Sequence, residues 1–174
     1  MQRSPRARFL TPDQRANADL DRALPLMRGQ TCSQPTTVRN LLRLLDVRPG
    51  QRVLDVGSGS GWTTALLASL VGDEGQVLGL ELEPDLVEFG SRNLAATEQP
   101  QASIRQAEPG VLGAPAEGPW DRILVSAMAG ELPASLVAQL ASDGVLVIPV
   151  GGELLRVTDA GAEGHGPYLF VPLR

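Results

Sequence analysis

The chain has no lysine; all 15 of the residues that carry a fixed positive charge are arginines. Schiff-base chemistry and a lysine general base are therefore excluded. There is one histidine, His165, and one cysteine, Cys32. Neither an internal disulfide nor a structural zinc site can be assembled from these two residues, so no metal is expected. A histidine-centred triad would have to use His165, which sits among glycines near the end of the sequence and reads as exposed rather than catalytic. No apolar run is long enough to cross a membrane, and the N-terminus lacks the apolar core of a secretory signal, so a cytoplasmic location is expected. The formal net charge of −5 argues against a face built to neutralise nucleic-acid phosphates. Arg3, Arg6, Arg8 and Arg15 form a basic N-terminal arm, read as a solvated tail. Neither nucleic acid nor membrane is an expected partner.

What is present has a clear order. The 174 residues fit one domain, with residues 1–50 as an N-terminal helical cap and 51–174 as a sheet core. Residues 13–23 read as a short helix. Ser33 is placed to N-cap a following helix with Pro35 in its first turn, and Val38, Leu41, Leu42 and Leu45 then give that helix one apolar face. Strands are expected at 52–56, 76–81, 102–106, 121–126 and 144–150, with helices at about 60–71, 84–96 and 133–141 between them. This alternation predicts an α/β fold with a doubly wound, mostly parallel sheet. The tail predicts an antiparallel hairpin made of 153–158 and 168–171, and residues 108–119 read as irregular loop.

The most informative segment is Val53-Leu54-Asp55-Val56-Gly57-Ser58-Gly59-Ser60-Gly61-Trp62. A buried strand runs into a glycine-rich turn and then into a helix, a cradle for an adenosine-bearing cofactor. A dinucleotide fingerprint would require G-x-G-x-x-G, and Trp62 stands where its third glycine would be. Glu81 closes the next strand, where a carboxylate can accept hydrogen bonds from both ribose hydroxyls; Glu83 is the alternative. Asp55 ends the first strand and needs a partner if buried, such as loop amides or the cofactor's ammonium group. Glu108, after the third strand, is a candidate contact for an adenine amino group.

The pattern VLDVGSGSG resembles the first motif of class I S-adenosylmethionine-dependent methyltransferases. Together with Gly29-Gln30-Thr31-Cys32-Ser33-Gln34-Pro35, Arg8-Phe9-Leu10, Asp121-Arg122-Ile123-Leu124-Val125, Glu131-Leu132-Pro133, Ile148-Pro149-Val150-Gly151 and Phe170-Val171-Pro172-Leu173, it makes nearly the whole chain similar to the protein-L-isoaspartate O-methyltransferase family. The resemblance implies S-adenosyl-L-methionine as cofactor and isoaspartyl-containing proteins or peptides as partners. It implies methylation of the free α-carboxyl in protein repair; a monomer is expected. It places Ser33 at the family's active-site serine. Gln30, Thr31, Cys32 and Ser33, with Asp55, Gly57, Ser58, Gly59, Ser60, Gly61, Glu81, Leu82 and Glu108, would surround the cofactor. Thr31, Ser33 and the backbone at Val171 would hold the substrate.

That reaction suits a chain without lysine. A free α-carboxyl titrates at roughly 3.3–3.7 and is already ionised at pH 7, so no general base is needed and Ser33 would orient the carboxylate as a donor. Cys32 reads as a packed thiol, with no base near it in sequence. The sequence departs from the family pattern at Thr36 and Thr37, at Ala107-Glu108-Pro109, and in the 126–130 segment. Two other readings stay open on these grounds: a relative that methylates an aspartate of one dedicated peptide or a small carboxylic acid, and a cofactor-binding module without turnover.

Overall fold

The computed structural model describes residues 4–174; Arg3 lies outside them. Two short 3-10 turns, Arg6–Phe9 and Pro12–Asn17, come first. A minimal ribbon follows, β1 (Leu24–Pro25) against β2 (Thr31–Cys32). Then come α1 (Pro35–Leu45), β3 (Arg52–Val56), α2 (Trp62–Val71), β4 (Gln76–Glu81), α3 (Pro84–Ala95), β5 (Ala102–Gln106) and β6 (Trp120–Val125). The chain ends with α4 (Ala134–Val137), β7 (Leu140–Val150), β8 (Glu153–Thr158) and β9 (Gly161–Pro167).

The main sheet has the order β5-β4-β3-β6-β7-β8-β9. Its first five strands are parallel and the last two antiparallel. Successive strands step outward from β3 to β5, and β6 then returns to the other side of β3. The sheet is thus doubly wound, with its switch point between β3 and β6. Strand alternation divides the core. Val53, Val77, Leu124 and Val147 pack with Leu41, Leu45, Leu67 and Val71 of α1 and α2 on one face. Leu54, Leu78, Ile123 and Ile148 pack with Trp120 and Leu136 on the other. A third cluster seats Phe9, Leu10 and Leu24 against Val38, Trp62 and Leu66, which fixes the N-terminal segment to the helices beside the glycine loop.

Four expectations are corrected. Residues 13–23 do not form one helix. The carbonyls of Ala18, Leu20 and Arg22 all accept hydrogen bonds from the Arg6 guanidinium instead of from amides four residues on. Arg6 is therefore not part of a solvated tail; it is 6% exposed. The helix expected at 133–141 is a single turn, because the Gln139 carbonyl is taken by the Trp120 amide and Leu140 already pairs with Trp120 in the sheet. The partner of β8 is β9 rather than 168–171. A two-residue turn places Gly161 opposite Thr158, in a glycine-rich strand that lacks the β-branched signature. The segment after β9 runs on to the sheet's carboxyl edge, where Met128 N–H donates to the Val171 carbonyl (2.7 Å) and the Met128 carbonyl accepts from Leu173 (2.8 Å).

Candidate active site

A cavity of about 670 Å³ opens beyond the carboxyl ends of β3, β4, β5 and β6, across the switch point where open α/β sheets take ligands. Gly57, Ser58, Gly59 and Ser60 form its floor, with Glu81, Leu82, Ala107, Glu108 and Leu112 on one side. Gln30, Thr31, Cys32, Ser33 and Thr37 form the facing wall, and residues 169–174 the rim. Every cofactor or substrate residue expected from the sequence lines this cavity except Asp55, Gly61 and the alternative acid Glu83.

The floor follows from glycine. Gly57 and Gly59 have φ of +82° and +53°, in the region that side chains with a Cβ avoid. Gly61, at φ +84°, serves packing instead, since a Cβ there would lie 2.9 Å from the Gly90 carbonyl and 2.9 Å from the Ile104 side chain. It lets α3 and β5 approach α2 closely. Glu81 is 8% exposed and buttresses the loop. One carboxylate oxygen accepts from Gly59 N–H (2.9 Å), the other from Leu82 and Glu83 N–H (2.7 and 3.1 Å). Each carboxylate oxygen has more than one acceptor position, so the group can hold the loop and still receive hydroxyls from the cavity.

Asp55 lies beneath the loop, fully buried. One oxygen accepts from the Thr64 hydroxyl at 2.7 Å; the other has no partner among the described residues. Burial pushes its pKa up to about 7, the Glu81 charge adds to the rise, and the Thr64 hydrogen bond opposes it. The side chain is not part of the cavity lining and bonds the third residue of α2. Glu108 stands exposed at the cavity edge.

On the facing wall, Ser33 is half-buried. Its expected capping role is corrected. Gln34 is the N-cap residue, without a side-chain cap of its own, and Asp21 supplies the acceptor, bonding Thr36 N–H and Oγ1 at 2.8 and 2.7 Å. Among the described residues the Ser33 hydroxyl has no hydrogen-bond partner, while its carbonyl accepts from Arg6 at 3.0 Å. Cys32 is buried, and burial pushes its thiol pKa up against the pull of Arg6, so it is a poor nucleophile. His165 is half-buried on β9, 3.8 Å from Glu163 and outside the cavity. Two ion pairs reach the start of α3: Arg174 of the rim to Glu83 at 2.6 Å, and Arg28 to Asp85 at 2.7 Å.

Residues that sequence reasoning missed are Arg6, Thr64 and the Met128 backbone. Thr64, at the third position of α2 behind the loop, had a signal in its spacing from Asp55. Arg6 had none, because its five acceptors are main-chain carbonyls.

A doubly wound sheet, a glycine loop after β3 and a carboxylate at the tip of β4 define a Rossmann-like fold with a site for an adenosine-bearing cofactor. The family model described as Protein-L-isoaspartate(D-aspartate) O-methyltransferase matches residues 1–164. A protein-L-isoaspartate O-methyltransferase of Methanopyrus kandleri is 41% identical over 182 residues, 99% of this chain and 80% of that one. One from Anaeromyxobacter dehalogenans strain 2CP-1 is 43% identical over 179 residues, 97% of this chain and 84% of that one. A Plasmodium falciparum crystal structure, reported as a putative protein-L-isoaspartate O-methyltransferase with S-adenosyl-L-homocysteine, superposes with a TM-score of 0.88 at 28% identity, covering 99% of this chain and 87% of that one. The chain belongs to the protein-L-isoaspartate O-methyltransferase family.

Proposed function

We propose that this chain is an S-adenosyl-L-methionine-dependent carboxyl methyltransferase that esterifies the α-carboxyl of isoaspartyl residues in damaged proteins. One observation carries the reading: an uncommitted Ser33 hydroxyl shares a cavity with the glycine loop and Glu81. The residues present fit the cofactor. Side-chain-free backbone at Gly57 and Gly59 allows close approach, Glu81 offers acceptors for a ribose diol, and Leu82, Ala107 and Leu112 make an apolar slot for a flat base. When bound, S-adenosylmethionine supplies a methyl group activated on a sulfonium.

The chain's own residues then need only align the nucleophile. An ionised α-carboxylate requires no base, in accord with the absence of lysine and with a histidine outside the cavity. The Ser33 hydroxyl donates to one carboxylate oxygen, aiming the other at the reacting carbon; Thr31 stands beside it on the wall. Orientation of this kind is the main source of rate in a displacement without proton transfer. The N–H groups of Leu169, Phe170 and Val171 have no partner among the described residues. This edge suits an extended peptide held by main-chain hydrogen bonds. The proposal takes the enzyme as a monomer acting as one domain. No helix of the described residues is long and apolar enough to cross a membrane, and we place the enzyme in the cytoplasm.

The test is incubation with methyl-labelled cofactor and matched isoaspartyl and aspartyl peptides. Base-labile ester is expected on the isoaspartyl peptide. Cofactor binding with no ester on it would overturn the reading.

A further inference from the structure

Arg6 holds the Cys32–Ser33 wall of the cavity from behind and meets Trp62 beside its floor. Its guanidinium donates to the carbonyls of Ala18 (3.2 Å), Leu20 (2.9 Å) and Arg22 (2.7 Å), and to those of Cys32 (3.1 Å) and Ser33 (3.0 Å). The same guanidinium lies 5.4 Å from the ring centroid of Trp62, the first residue of α2 after the glycine loop. The indole N–H of Trp62 in turn donates to the Ser4 carbonyl at 3.1 Å. Among the described residues no carboxylate pairs with Arg6. A buried cation without a counter-ion is costly, and here it is compensated by main-chain dipoles and an aromatic face. A hydrophobic residue could fill this space without that cost. What it could not do is gather carbonyls from two separate segments and set them against the residue that follows the glycine loop.

We propose that Arg6 is a positioning residue for methyl transfer, holding the Cys32–Ser33 backbone at a fixed place relative to the glycine loop. Arg6 touches neither substrate nor cofactor; it acts through the Ser33 main chain, whose hydroxyl lines the cavity. Nη1 serves the Ala18 and Leu20 carbonyls and Nη2 those of Arg22, Cys32 and Ser33, so the arginine fork matters: a lysine ammonium, with three donors on one compact head, cannot hold all five. This inference rests on the carboxyl-methyltransferase reading.

The test uses the full chain with Arg6→Lys and Arg6→Met. Calorimetric titration with S-adenosyl-L-homocysteine counts competent cofactor sites, and kcat on an isoaspartyl peptide is expressed per site. Cys32, the single cysteine, is buried within the held loop, so its rate of reaction with a thiol reagent reports local opening. For Arg6→Lys, one cofactor site per chain is expected, with affinity within about threefold. A fall in kcat per site of roughly 100-fold is expected, the scale of a ~1 Å misplacement, with Cys32 labelling about tenfold faster. A merely structural role would instead lower site count and activity together. Overturning results are kcat per site and Cys32 labelling both within about threefold of the parent, activity lost only in proportion to cofactor sites, or failure of both variants to fold. If the parent chain binds S-adenosyl-L-homocysteine but makes no ester, the functional reading fails on its own, and Cys32 labelling alone decides whether Arg6 holds the loop.

Discussion

Replacing Asp55 with asparagine should change how stability depends on pH. Asp55 is fully buried with one oxygen unpartnered, and burial raises its pKa from 3.8 to about 7. In the unfolded chain it ionises at its ordinary value. Between these two values the folded protein holds a proton that the unfolded chain has released, so stability falls as pH rises. The contribution of the neutral carboxyl is fully present below the unfolded value and lost as pH climbs through about 7. Over the whole window this is roughly 4 kcal/mol at 1.36 kcal/mol per pKa unit, of which about 3 kcal/mol falls between pH 5 and pH 8. Asparagine is neutral throughout and can still accept from the Thr64 hydroxyl. Urea unfolding of both proteins at pH 5, 6, 7 and 8 isolates the term, since other titrating groups cancel in the difference. Asp55→Asn should gain about 3 kcal/mol on the parent across that range, nearly all of it by pH 7. A difference flat to within ~0.5 kcal/mol would show that Asp55 ionises normally in the fold and would refute the reasoning.

Three further predictions concern the cavity and the packing behind its glycine loop. Ser33→Ala should lower kcat on isoaspartyl peptide by roughly 10- to 100-fold, the worth of a hydrogen bond to a charged group. The melting temperature should stay unchanged, because the hydroxyl has no structural bond; a matching fall in melting temperature would contradict this. Glu81→Gln replaces a carboxylate that holds Gly59, Leu82 and Glu83 amides. Titration with S-adenosyl-L-homocysteine should show affinity weakened by about 10- to 100-fold, as for loss of charge-assisted bonds. Gly61→Ala should destabilise by about 2–4 kcal/mol in thermal unfolding, since its Cβ meets the Gly90 carbonyl at 2.9 Å where φ is +84°.

Much of the fold was legible because period and punctuation agree there. Strands β3, β4 and β6 carry short apolar runs bounded by turn residues, β5 is a weaker one placed by the alternation, and α1 and α3 carry apolar faces at helical spacing. Places where the reading went wrong are those governed by distant partners. The run from Ala134 to Ala141 has helical propensity, yet pairing of Leu140 with Trp120 ends the helix after one turn. Strand β9 carries no strand-forming residue pattern and exists because β8 offers an unpaired edge one tight turn away. Ser33 looks like a helix cap locally, and Asp21 takes that role from another segment.

The sequence by itself determined the glycine loop, the carboxylate at the tip of the following strand and the alternation of strands and helices from β3 to β6. Each is written in contiguous residues whose backbone preference and hydrophobic period act locally. Only the tertiary structure decided that Arg6 is buried behind Ser33, that Asp55 stays under the loop with Thr64, and that Ser33 keeps its hydroxyl free. Those outcomes depend on which carbonyls and side chains meet across tens of residues, and a buried polar group takes whichever partner the packing brings to it.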